Sequence, residues 1–242
     1  MTNLSDTNQQ TSSGHKPRPM IDLLVSIVIP SVILMKFSGD NELGASMALI
    51  MALAFPLSWG LFELLKYKKF NFIALLGLIS VVLTGGIGLL QLDPQWLAVK
   101  EATIPALIGI AVLVSTRTRY PLIKTLVYSP AVFDVSKIKR KLEDHGNTDA
   151  FEVRLLNATY LLSSTFLFSA TMNYILAKWI VTSAAGTAAF NEELGRMTLL
   201  SYPVIAIPSM LMMMAILYYL WRTIHGMTGL AIEEILIAHN SD

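Results

Sequence analysis

The chain has 242 residues, 54% hydrophobic and 14% charged, against about 25% charged residues in an average soluble domain. A soluble fold of this length cannot hide so much apolar surface, and a net charge of +1 with no basic-aromatic stripe argues against a nucleic-acid partner. The absence of cysteine excludes disulfides, thiolate catalysis and cysteine-held metal or iron–sulfur centres.

Residues 1–18 are polar, rich in Ser, Thr, Asn and Gln, and read as a disordered tail. The apolar run from Met20 to Met35 contains Pro30 and ends at Lys36 with no small-residue cleavage site after it. It therefore reads as a retained span rather than a removed leader. A second run covers 43–65, with Pro56 inside it and Glu63, Lys66, Lys68 and Lys69 at its end; a third covers 72–92; a fourth, 96–115, carries Lys100 and Glu101 near its start and Pro105 one turn later. Runs of this kind match the length needed to cross roughly 30 Å of hydrocarbon at about 1.5 Å per residue. The internal prolines predict kinks, because each removes a helical hydrogen bond and crowds the preceding turn.

The stretch 116–154 is too charged to enter lipid. Within it Val135, Ile138 and Leu142 recur at helical spacing beside Lys137, Lys139, Arg140 and Lys141. That pattern fits either an amphipathic helix on the anionic cytoplasmic leaflet or a solvated loop helix with ordinary cytoplasmic charge. Two more runs follow, 155–181 and 197–221, the latter with Pro203 and Pro208, and residues 224–242 form a C-terminal amphipathic segment with Ile232, Ile235, Leu236 and His239 in one stripe.

The expected architecture is thus an all-α integral membrane bundle of six transmembrane helices with proline-kinked spans and amphipathic cytoplasmic helices. A four-helix part, 19–115, and a two-helix part, 155–223, flank the basic loop. Orientation follows from Lys and Arg: of the 18, fourteen fall in the connections on the N-terminal side and four on the other. Since cytoplasmic loops retain positive charge, both termini are expected in the cytoplasm, with the chain multi-pass in a bacterial inner membrane.

Polar residues inside spans need an account, because a charge at the bilayer centre costs about 2.5 to 3.5 kcal/mol on insertion scales. Lys100 and Glu101 read either as an interfacial pair facing water or as a buried functional pair. Ser80, Thr84 and Gly88 recur every four residues, with Gly85 and Gly86 beside them, a small-residue face suited to close helix packing. The run from Leu155 is dense in Asn157, Thr159, Ser163, Ser164, Thr165, Ser169, Thr171 and Asn173. These read first as helix-to-helix hydrogen-bonding groups, with the lining of a path as the alternative.

No metalloprotease, phosphate-loop, nucleophile-elbow or dinucleotide motif occurs, and His15, His145, His225 and His239 lack metal-ligand spacing. No catalytic residue, metal or cofactor is expected. The stretch from Thr84-Gly85-Gly86 through Asp93, Trp96 and Lys100 to Pro121-Leu122-Ile123, with a second from Arg154-Leu155-Leu156-Asn157 to Phe166-Leu167 and Asn173, resembles the bacterial intracellular septation protein A family. Where that family carries Lys-Pro-Thr, this chain has Lys100-Glu101-Ala102. The resemblance implies an inner-membrane protein of cell division and envelope maintenance acting through protein partners, and it carries over Lys100, Arg154, Asn157 and Asn173 as candidate positions.

The expected function is therefore non-enzymatic, with the lipid bilayer and other membrane proteins or further copies of the chain as partners. A small transporter or lipid-handling protein is the alternative. An enzyme acting on lipid head groups near Arg117, Arg119 and Lys137 is a third reading.

Overall fold

In a computed structural model the protein is described over residues 24–67, 72–118 and 135–231. The polar tail, Lys68 and Lys69, the stretch 119–134 and the C-terminal stripe from Ile232 lie outside the described residues. All regular structure among the described residues is helical. A π-helical turn, Leu24–Val28, leads into α1 (Ile29–Lys36); α2 (Ala45–Tyr67), α3 (Phe72–Leu89), α4 (Gln95–Ser115), α5 (Val135–Asp144), α6 (Thr148–Ile180) and α7 (Ala188–Ser201) follow, and a second π-helical turn, Tyr202–Ala206, joins α7 to α8 (Ile207–Thr228).

Among the described residues three segments are long and apolar enough to cross a membrane: Ala45–Phe62, Gln95–Ser115 and Ala188–Thr228. Hydropathy alone led to six. α1 is too short within the described residues, and the apolar stretch of α3 that qualifies, Ile79–Leu89, is also short. α6 spans 33 residues but its hydroxyl and amide side chains dilute its apolarity. It also begins at Thr148, inside the stretch expected to be loop.

The expected proline kinks are likewise not supported. α2 and α4 run unbroken through Pro56 and Pro105, while Pro30 and Pro208 each follow a π-helical turn directly, in backbone that stays helical at Val28 and Ala206. Pro203 sits within the wide turn between α7 and α8 itself.

α4 lies along α6 in the most extensive helix pair, α1 packs on α7 and on α2, and α8 packs on α6. Two apolar clusters form at opposite ends. The first joins Leu34, Leu49, Ile87, Leu97, Leu176, Phe190 and Leu194, close to the turns 37–44, 90–94 and 181–187. The second joins Val112, Ile138, Leu142, Phe151, Leu155, Ile216, Leu220 and Ile224, where α4 and α8 end and α6 begins. The turns 37–44, 90–94 and 181–187 therefore gather at one end of the bundle, and the turn between α5 and α6 at the other.

Close approach explains several small residues. A Cβ on Gly195 of α7 would stand 2.8 Å from the Ser31 backbone oxygen of α1 and 2.9 Å from Met35 Cγ, so glycine sets that crossing distance. Gly85 and Gly88 of α3 face Leu53 and Leu49 of α2, whereas Gly86 has nothing within 4 Å of a built Cβ. α5 ends at Gly146, with φ 65°, and the Asn147 amide returns to the Leu142 carbonyl at 2.9 Å. This left-handed C-terminal cap lets the chain reverse directly into α6.

Ile138 and Leu142 of α5 are 0% and 1% exposed. These two side chains of the amphipathic helix are thus covered by protein, and Val135 is half-buried. Of the helix's basic residues, Lys139 and Arg140 are exposed and Lys137 and Lys141 half-buried.

Candidate functional site

The turn 90–94 folds α3 back against α4, and counting outward from its middle brings Thr84 opposite Lys100. Thr84 and Ser80, one turn apart, lie on one face of α3. Lys100 Nζ donates to Thr84 Oγ1 at 2.7 Å and to Ser80 Oγ at 3.2 Å. It also pairs with Glu101 Oε1 at 2.7 Å, with the two side chains 9% and 24% exposed. Sequence neighbours on a helix point about 100° apart, so this pairing requires both side chains to lean together. Three acceptors match the three ammonium donors, which meets the requirement that a buried charge be paired and hydrogen-bonded. Thr84 completes the cluster by donating to the Ser80 carbonyl at 3.0 Å.

The remaining candidates lie elsewhere. Arg154 is exposed near the start of α6, at the end of the bundle opposite Lys100, and lines a pocket with Arg222 and Tyr219. Asn157 is exposed on the same helix. Asn173 donates to the Ser169 carbonyl of its own helix at 2.8 Å. The structure brings Ser80, Thr84, Lys100 and Glu101 together; Arg154 and Asn157, one turn apart on α6, lie at the other end of the bundle, and Asn173 bonds within its own helix.

The hydroxyls of α6 are mostly self-satisfied. Thr159 donates to Leu155, Thr165 to Leu161 and Thr171 to Leu167, each to a carbonyl one turn back. Ser163 is the exception: it donates to the Gly109 carbonyl of α4 at 2.8 Å, where the missing side chain lets Phe166 and Leu167 approach. This is local back-bonding plus one interhelical tie.

Two polar groups have no motif in the sequence to announce them. Asn191 of α7 is 0% exposed, and its Nδ2 donates to Ser38 Oγ at 3.0 Å and to the Ala45 carbonyl at 2.7 Å. Glu193 accepts from the Thr182 and Ser183 amides at 2.9 and 2.8 Å and from the Ser183 hydroxyl at 2.8 Å. Together they fasten α7 to the turn 37–44 and to the end of α6. Gly186 sits against the Gln91 side chain, which joins the turn 90–94 to the same assembly.

Among the described residues no group of His, Asp and Glu could hold a metal ion. No family model, curated protein or solved structure matches the chain, and the likeness to the septation protein A family rests on the sequence motifs alone.

Proposed function

We propose that this is a multi-pass protein of a bacterial inner membrane that acts by association rather than catalysis, in cell division or envelope maintenance. The observation that carries the reading is the containment of Lys100. A lysine on a transport path or in a reactive centre needs free donors or access to a moving ligand. Here Thr84, Ser80 and Glu101 take up the ammonium, and Arg154 lies at the opposite end of the bundle. The mostly self-bonded hydroxyls of α6 also favour a packed bundle over a polar conduit.

The proposed topology is six crossings with both termini cytoplasmic. In its favour are the charge asymmetry of the connections and the gathering of the turns 37–44, 90–94 and 181–187 at one end of the bundle. Val82 and Leu83 of α3, Leu107 and Ile110 of α4, and Met210 and Leu211 of α8 are exposed apolar side chains that require lipid or a membrane partner as solvent.

A strain lacking the protein is expected to show defects in septation or envelope integrity. Wild type and the Lys100→Met/Glu101→Gln double variant, at equal membrane levels, should restore both. Failure of a folded double variant would redirect the reading to transport through Lys100. Normal septation and envelope in the deletion strain would refute it.

A further inference from the structure

Where α6 begins and α8 ends, an open pocket of about 300 Å³ is lined by Arg154, Tyr219, Arg222, Thr223, Gly226 and Met227. Its charge is one-sided, with two guanidinium groups and no carboxylate. Among the described residues neither Arg154 nor Arg222 has a hydrogen bond or an ion pair. Tyr219 contributes to the wall, with its hydroxyl buried away from solvent, so two cations stand unanswered at one place. Gly226 keeps its wall open, with nothing within 4 Å of a built Cβ.

Two like charges on one pocket repel, and an anion between them turns that repulsion into attraction. Guanidinium presents a planar fork of donors that matches the oxygens of a phosphate, and a threonine hydroxyl can supply a further donor. The depth is marked by neighbouring aromatics. Tyr218 and Trp221 are exposed beside Arg222, and Trp221 stacks on His225 with ring centroids 5.9 Å apart. Exposed Trp and Tyr of this kind sit at headgroup level in membranes.

We propose that this pocket binds a phosphoryl anion, and that the anion is the headgroup phosphate of an anionic membrane lipid held between α6 and α8. The Arg side chains would grip the phosphate while the acyl chains lie along the exposed apolar face of α8, where Met214 and Leu217 are uncovered.

The test uses the full-length protein in phosphatidylcholine nanodiscs containing phosphatidylglycerol, with bound lipid counted by native mass spectrometry after release. Phosphatidylglycerol should be retained in preference to phosphatidylcholine. Arg154→Gln and Arg222→Gln should each weaken retention about tenfold, and the corresponding lysine variants less. Arg140→Gln removes the same charge from an exposed position outside the pocket and should leave retention unchanged. Helix content and melting in pure phosphatidylcholine serve to verify that each variant is folded.

Equal retention of the two lipids, folded arginine variants that retain phosphatidylglycerol as wild type does, or an Arg140→Gln effect as large as that of Arg222→Gln would overturn the proposal. Displacement of the lipid by an equal concentration of inorganic phosphate would overturn the lipid assignment, leaving a soluble phosphate as occupant.

Discussion

Lys100 in α4 donates to Thr84 in α3 across 2.7 Å, so a residue from the small, close-packing face of one helix supplies the acceptor for a cation buried in the next. Replacing Thr84 by Val keeps the shape and removes the acceptor. The expected loss is about 1 to 3 kcal/mol of stability, read from unfolding of the purified protein in detergent. Lys100→Met alone should be more damaging than Lys100→Met/Glu101→Gln, because the single change strands a carboxylate in a largely buried setting. Equal stability of the two variants would show that Glu101 is solvated independently of Lys100.

Gly195 sets the distance between α7 and α1. Gly195→Ala places a Cβ 2.8 Å from a backbone oxygen that cannot rotate away, and should cost about 1 to 3 kcal/mol. Gly86→Ala on α3 meets nothing within 4 Å and should be neutral or mildly stabilising, since alanine is favoured over glycine in a helix by about 0.5 to 1 kcal/mol. Melting of the two variants in the same detergent compares them directly.

Asn191→Leu removes the bonds to the buried Ser38 hydroxyl and to the Ala45 carbonyl at the start of α2, at about 1 to 3 kcal/mol. The turn 37–44 should loosen with it, seen as faster hydrogen exchange at the first amides of α2. Unchanged exchange there would mean that Asn191 does not hold the turn.

Ile138 and Leu142 anchor α5 to the second apolar cluster. Replacing both by Ser should release the helix, at about 2 to 5 kcal/mol for each large-to-small change in a packed site. Trypsin should then cut at Lys139, Arg140 and Lys141 far faster than in wild type, while Arg140→Gln should not expose Lys139 or Lys141. Equal cleavage of wild type and the double variant would contradict the docking.

The helical character, the positions of the turns and α5 itself were legible in the sequence, because runs of apolar residues and the spacing of Val135, Ile138 and Leu142 report periodicity directly. What covers an apolar stripe was not legible: Ile138 and Leu142 look the same in sequence whether lipid or Phe151 and Leu155 lie against them. Ser80 and Thr84 were readable as one helix face, yet their bond to Lys100 depends on the hairpin that the turn 90–94 makes. α7 was harder still. Its first residues, 188–193, read as loop because Asn191, Glu192 and Glu193 interrupt the apolar run, and only the fold shows that two of these polar groups tie turns together. The start of α6 at Thr148 was hidden by the charges of 149–154, which lie on a helix projecting beyond its apolar part.

The central claim is a membrane bundle whose alternate connections face opposite sides, and the absence of cysteine makes a clean test available. Single cysteines at Asn41 and Leu90, both exposed at one end, and at Ser136 and Asp144, both exposed at the other, can be probed with a membrane-impermeant maleimide. Labelling of Asn41→Cys and Leu90→Cys in intact cells, with Ser136→Cys and Asp144→Cys labelled only after permeabilisation, is the predicted result. Labelling of all four from the same side would contradict it.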